Sequence, residues 1–145
     1  MLKNKNILIT GGTGSLGNAL TTKLLTLGVK TIRIFSRDEN KQTKMEEKFN
    51  DNRLRFLIGD VRDKERLQRA VENIDIVIHT AALKHVPVAE YNPFEVIKTN
   101  IYGSQNVIDA SMDEEVDLCL AISSDKAVSP LNLYGSTKLA MEKLF

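Results

Sequence analysis

A doubly wound α/β domain with a parallel sheet is the fold this sequence predicts, and three observations carry the prediction. Five short apolar runs, "NILIT", "TIRIF", "LRFLI", "IDIVIH" and "DLCLAIS", recur along the chain, separated by segments with helical spacing. That alternation calls for crossover connections, and hence for parallel strands. Three glycines, Gly11, Gly14 and Gly17, stand between the first run and the first helical segment. Finally, "KLAMEKLF" is still helical in pattern where the sequence stops, with no Gly or Pro to close it. The expectation is one domain, residues 1–145, incomplete at its C-terminus and cut in the helix after the fifth strand.

Each helical segment has its own warrant. Leu16, Ala19, Leu20, Leu24 and Leu27 share one face of the first, and Gly28 follows as a stop signal. "DENKQTKMEEKFN" is highly charged and predicts a helix with a solvated face. The third, "DKERLQRAVEN", is short and amphipathic. In the fourth, Asn92 is a cap for a helix starting at Pro93, and a stripe of Val96, Ile97, Asn100, Ile101, Val107 and Ile108 runs to about Met112. Gly103 lies inside that stripe and predicts an interruption. A fifth helix starts near Leu133 and continues to Phe145.

Composition limits the function classes. A chain of 145 residues has room for one real core, and 42% hydrophobic with 27% charged residues fits a soluble globular protein. No apolar stretch approaches the roughly eighteen residues of a membrane span. The N-terminus reads as a first strand and not as a signal peptide, so a cytoplasmic protein without a membrane partner is expected. A net charge of +1 gives no field to draw the whole molecule to nucleic acid. The single cysteine, Cys119, lies in an apolar run and reads as a small core residue. His79 and His85 lack metal-ligand spacing, so no metal is expected.

The glycine loop carries the first chemistry. In "NILITGGTGSLGNAL" one glycine makes a tight turn, one lets the backbone approach a pyrophosphate, and one packs helix on strand. The helix N-terminus adds free N–H groups and the positive end of its dipole. Gly11, Thr13, Gly14, Ser15, Leu16 and Gly17 are thus expected to bind a nicotinamide dinucleotide in a Rossmann domain. An acid at the end of the next strand would select NAD through the ribose 2′-hydroxyl. Nineteen residues after Gly17 stands Ser36, followed by Arg37, a hydroxyl and a guanidinium suited to a 2′-phosphate; this predicts NADP. Asp38 is either a displaced acid or the cap of the charged helix, and the cap is the preferred reading. "GDVRD" puts Asp60 and Val61 near an adenine, and Ala81 and Ala82 of "HTAAL" permit close backbone approach to the cofactor.

"TGGTGSLG", "HTAAL", Asn100 and "YGSTK" together resemble the extended short-chain dehydrogenase/reductases over the whole chain. The resemblance implies Tyr134 as acid/base on a substrate hydroxyl, Lys138 as ribose ligand and depressor of the tyrosine pKa, and Ser124 as substrate-orienting hydroxyl. It carries Lys84 and Asn100 as cofactor-side residues. A phenol that ordinarily titrates near pH 10 does need an adjacent cation to act as base near neutrality.

Within that family, "SSDKAVSPLNLYGSTK" is similar to the inverting UDP-N-acetylglucosamine 4,6-dehydratases, as is "AALKHVPVAEYNPFEVIKTNIYGSQNVIDA". Retaining dehydratases typically have Thr-Asp-Glu where this chain has Ser124, Asp125 and Lys126. Membrane-anchored and epimerising branches commonly have Met in place of Tyr134. The resemblance implies a UDP-sugar substrate, with Lys126 removing the C5 proton while Asp125 protonates the departing C6 hydroxyl. Lys126 must then be neutral and Asp125 protonated, which burial would favour. It further implies a homo-oligomer through the fourth and fifth helices, and a substrate-binding C-terminal part lying outside these residues. Two other readings stay open: a UDP-sugar 4-epimerase or another enzyme of the fold, and a piece that only binds NADP. Without the family pattern, Asp125 and Lys126 read as a solvent-exposed pair in a loop.

Overall fold

The apolar runs fold as five parallel strands: β1 (Asn6–Thr10), β2 (Thr31–Ser36), β3 (Leu54–Ile58), β4 (Ile76–His79) and β5 (Leu118–Ala121). The computed structural model describes residues 2–145. The strand order is β3-β2-β1-β4-β5, so the connections reverse direction across the sheet beside β1. Helices α1 (Ser15–Thr26), α2 (Glu39–Phe49), α3 (Lys64–Val71), α4 (Val86–Tyr91), α5 (Pro93–Ile97), α6 (Gly103–Asp113) and α7 (Leu133–Leu144) complete the doubly wound arrangement.

Both faces of the sheet centre are covered, which is why β1 reads as an unbroken apolar run. Ile7, Ile9, Ile32, Ile34, Ile76 and Ile78 meet Leu24 of α1 and Met45 of α2 on one face. The alternate residues Leu8, Phe35 and Val77 meet Leu67 and Val71 of α3 and Val107 of α6 on the other. Each of these side chains, taken out of water, contributes on the order of 1.5–3 kcal/mol. Arg33, on β2, closes the end of α3 by donating from Nη1 to the Ala70 and Glu72 carbonyls at 2.7 and 3.0 Å. Cys119 sits half-buried against the Ser111 hydroxyl at 3.4 Å, and burial pushes its thiol pKa up.

Three local expectations need correction. The buried residues of α1 are Gly17, Thr21 and Leu24, with Leu16 and Leu27 exposed, because that face of the helix is the one turned to the sheet. Asn92 does not cap α5 with its side chain; its amide donates to the Val88 carbonyl at 3.0 Å and closes α4, which the sequence pattern did not reveal. The fourth segment is not one unbroken helix, as expected, but Gly103 is not itself the break: its backbone is helical, and a Cβ there would strike Val61 at 2.6 Å. The irregularity instead is a π-helical turn at Lys98–Tyr102, one extra residue per turn, joining α5 to α6. Among the described residues, no helix is long and apolar enough to cross a membrane, and no group of His, Cys, Asp and Glu is placed to hold a metal ion.

Candidate active site

A cleft of about 780 Å³ opens where the strand order reverses, at the C-terminal ends of the strands. Its floor is the glycine loop. Gly11 has φ +66°, and a Cβ there would lie 2.8 Å from the Ala81 Cα, so only glycine lets the loop lie flush against the end of β4. At Gly17 a Cβ would stand 2.1 Å from the Gly12 carbonyl oxygen, which brings the start of α1 directly onto the loop. Thr13, Gly14, Ser15 and Leu16 complete this wall. Among the described residues no side chain caps α1, so its first N–H groups face the cleft free of a protein acceptor.

One end of the cleft is polar. Ser36 and Arg37 line it, together with Asp38 and Lys41 from the start of α2. Asp38 is a cap: its carboxylate accepts from the Lys41 N–H at 3.0 Å. Gln42 donates to the Ser36 hydroxyl at 3.0 Å and fixes it at the strand end. Asp60 and Val61 form the adjoining wall. Burial pulls the Asp60 pKa up, but Arg62, donating at 2.6 and 2.9 Å, and Arg37 at 3.7 Å together hold it below the ordinary carboxylate range.

The other end combines Ala81, Ala82 and Lys84 after β4 with Ile122, Ser123, Tyr134 and Lys138. Tyr134 and Lys138 are buried on one face of α7, whose first turn is capped by Asn132. Lys138 Nζ donates to the Ile122 carbonyl at 2.5 Å, and burial lowers its pKa against the opposing pull of Glu142. Several cleft residues escaped the sequence reading, Thr99 and Lys41 among them. Thr99 is buried, and its hydroxyl has no partner among the described residues; the π turn that aims it into the cleft leaves no mark in the hydrophobic spacing. Lys41 is hidden in a charged helix whose solvated face gives it no distinction, although its place three residues after the cap is a usable signal.

Asn100 does not line the cleft. It is buried, accepts from the Leu83 N–H at 2.8 Å, and donates to the Leu83 carbonyl at 2.9 Å and the Thr137 hydroxyl at 3.0 Å. It braces the loop after β4 against α7. Ser124, Asp125 and Lys126 also stand outside the cleft lining, in a 3-10 turn at Asp125–Ala127. Ser124 spends its hydroxyl on that turn, accepting from the Lys126 N–H at 3.2 Å and donating to Asp125 at 3.0 Å. The expected burial of the pair is not found: the side chains are 87% (Asp125) and 48% (Lys126) exposed and form an ion pair at 3.4 Å. The Ser124 hydroxyl and the Lys126 charge hold the Asp125 carboxyl below its ordinary pKa, the reverse of a protonated acid.

Behind the cleft runs a buried hydrogen-bonded chain with a fixed direction. Ser104 donates to the Asn100 carbonyl at 2.6 Å, so its oxygen is free to accept from His79 Nε2–H at 3.1 Å. His79 Nδ1 is then bare and accepts from the Thr10 hydroxyl at 2.7 Å. On the far side of Asn100, Thr137 donates to the Tyr134 carbonyl at 2.8 Å. The glycine loop and the tyrosine helix are thus tied through one neutral imidazole. Burial, and secondarily the charge of Lys138, lowers its pKa to about 3.

Comparison with known proteins places this geometry. The profile of a family described as polysaccharide biosynthesis protein matches residues 7–145. This chain belongs to that family. A relative from Campylobacter jejuni subsp. jejuni serotype O:23/36 (strain 81-176), named UDP-N-acetylglucosamine 4,6-dehydratase (inverting), is 60% identical across 100% of this chain and 44% of its own length. A Rickettsia conorii (strain ATCC VR-613 / Malish 7) protein named UDP-glucose 4-epimerase is 46% identical over 99% of this chain and 43% of its own. The crystal structure of a UDP-glucose-4-epimerase from Stenotrophomonas maltophila with bound NAD and formylated UDP-arabinopyranose superposes with a TM-score of 0.86 at 27% identity, over 97% of this chain and 47% of that one. The chain therefore spans less than half the length of these proteins.

The buried imidazole makes stability depend on pH. Above its unfolded pKa of about 6.5, His79 is neutral whether folded or not. Below it, the unfolded chain binds a proton that the folded chain refuses until about pH 3, so stability falls as pH drops through that window. Urea unfolding should show a loss of about 2 kcal/mol between pH 7.5 and pH 5, before carboxylates titrate appreciably. His79→Gln, lower in stability throughout, should lack that slope.

Proposed function

We propose that this protein acts as an NADP-dependent UDP-N-acetylglucosamine 4,6-dehydratase of the inverting kind, in nucleotide-sugar and polysaccharide biosynthesis. The observation that carries the reading is that a single cleft has the glycine loop as its floor and Tyr134 with Lys138 at one end, with the Asp125–Lys126 turn packed on the helix that bears them. The 60% identity to a protein of that name supports it. A nicotinamide dinucleotide fits the residues present: glycines allow backbone approach, the α1 N–H groups lack caps, and the Thr99 hydroxyl awaits a partner. Ser36, Arg37 and Lys41 at the polar end favour NADP over NAD, since a hydroxyl and two cations suit a 2′-phosphate once it draws Arg37 and Lys41 from Asp60 and Asp38, with which each pairs at 3.7 Å.

The residues divide the work. A dinucleotide held there would supply the acceptor for hydride from C4 of the sugar and the donor of hydride to C6. Tyr134 accepts the C4 hydroxyl proton, and Lys138 holds the nicotinamide ribose and favours the phenolate. The ketone at C4 acidifies C5, Lys126 removes that proton, and Asp125 protonates the hydroxyl leaving C6. Reprotonation at C5 from the opposite face inverts that centre. Elimination requires the pair to be covered once sugar is bound, so that Asp125 gains a proton and Lys126 loses one. The open, ion-paired arrangement favours one second reading, a UDP-sugar 4-epimerase, for which Tyr134 and Lys138 suffice.

Self-association through the fourth and fifth helical segments is part of the proposal, supported by the exposed aromatic side chains Tyr91, Phe94 and Tyr102. Light scattering should give a mass above one chain, falling toward one chain in Phe94→Ser; a monomeric wild-type protein would reject the interface. In calorimetric titrations NADP should bind more tightly than NAD, with the preference shrinking at least tenfold in Arg37→Ala/Lys41→Ala. Equal affinities in the parent protein would overturn the cofactor assignment. Incubated with UDP-N-acetylglucosamine and NADP+, the protein should release a sugar nucleotide lighter by one water, seen by mass spectrometry. Lys126→Ala should abolish that loss while binding NADP normally. Epimerised product without loss of water would favour the second reading.

A further inference from the structure

The side chains of Asp125 and Lys126 extend into solvent, so something other than their own packing must hold them in register with Tyr134. The structure locates that support in the backbone. A Cβ built on Gly135 would lie 2.2 Å from the Lys126 carbonyl oxygen and 3.0 Å from the Pro130 Cβ. The 3-10 turn therefore rests on the first turn of α7 through a space that exists only because residue 135 has no side chain. Gly135 is not needed there for its backbone angles: it sits within a regular helix, where alanine would ordinarily stabilise by about 1 kcal/mol. We propose that Gly135 is a positioning residue for elimination, setting the Lys126 peptide against α7 so that the acid/base pair meets the sugar held at Tyr134. The proposal rests on the dehydratase reading above.

Which side would yield to a methyl group follows from packing. Tyr134, Gly135, Thr137, Lys138 and Met141 hold α7 in the interior, whereas the turn buries Ala127 alone and Asp125, Lys126, Val128 and Leu131 are exposed. The turn must therefore move. Ordinary contact begins near 3.4 Å, so the Lys126 carbonyl would retreat by about 1 Å (3.4 minus 2.2). A displacement of that size at a reacting group costs on the order of 100-fold in rate.

Gly135→Ala tests this in two ways. Amide hydrogen exchange on the NADP-bound protein should show faster exchange at Ala127 and Val128, whose N–H groups close the turn, with α7 unchanged. On adding UDP-N-acetylglucosamine, absorbance of reduced dinucleotide should appear at near the parent rate while loss of water slows about 100-fold. Elimination at the parent rate overturns the proposal, as does an equal fall in oxidation and elimination, which would mean the glycine serves Tyr134 itself. If Gly135→Ala does not fold, Pro130→Gly loosens the same contact from the loop side and should slow elimination selectively; unchanged elimination there also overturns it. A parent protein that never releases water defeats the dehydratase reading instead, whatever the variants do.

Discussion

Direct approach of backbone to backbone is the constraint on which the cleft depends. Gly11 lies on the Ala81 Cα, Gly17 on the Gly12 carbonyl and Gly135 on the Lys126 carbonyl, each at a distance no Cβ could share. The first two contacts set the floor of the cleft and bring the free N–H groups of α1 to it. The third fastens a chemically equipped turn to the helix of Tyr134 and Lys138. Side-chain packing on the two sheet faces supplies the stability, but missing side chains set the shape.

The buried polar chain performs a different task. Thr10, His79, Ser104, Asn100 and Thr137 link the end of β1 to the backbone of Tyr134 without an unpaired donor or acceptor along the way. Directional bonds fix orientation where apolar contacts would allow sliding, and a fully satisfied network of this kind rigidifies the interior. The two ends of the cleft are thereby held in one frame, although they lie far apart in sequence.

Much of the fold could be read from the amino acids because periodicity and burial act locally. All five strands, and the helices of the charged and amphipathic segments, fall where the apolar runs and caps put them. The glycine loop was equally legible, since strand, glycines and helix are contiguous. The misreadings share a cause in tertiary geometry. Asn100 lies on an apolar stripe and could face either way, and only the π turn decides that Thr99 meets the cleft while Asn100 turns inward. Asp125 and Lys126 are the opposite case: read without the family pattern they are an exposed loop pair, as found, and it is the family resemblance that implies burial. Leu16 and Leu27 fit a helical stripe but stay outside the core, because α1 turns Gly17, Thr21 and Leu24 to the sheet.

The π turn at Lys98–Tyr102 carries an evolutionary corollary. One additional residue rotates everything beyond it by about 100° relative to an unbroken helix. The segment before the turn, which packs on α7, and the segment after it, which packs on α3 and the sheet, thus keep separate phases. Substitutions that improve the packing of α6 can accumulate without disturbing the contact of α5 with α7, whereas losing a single residue inside the turn would couple the two phases and swing Val107 out of the interior.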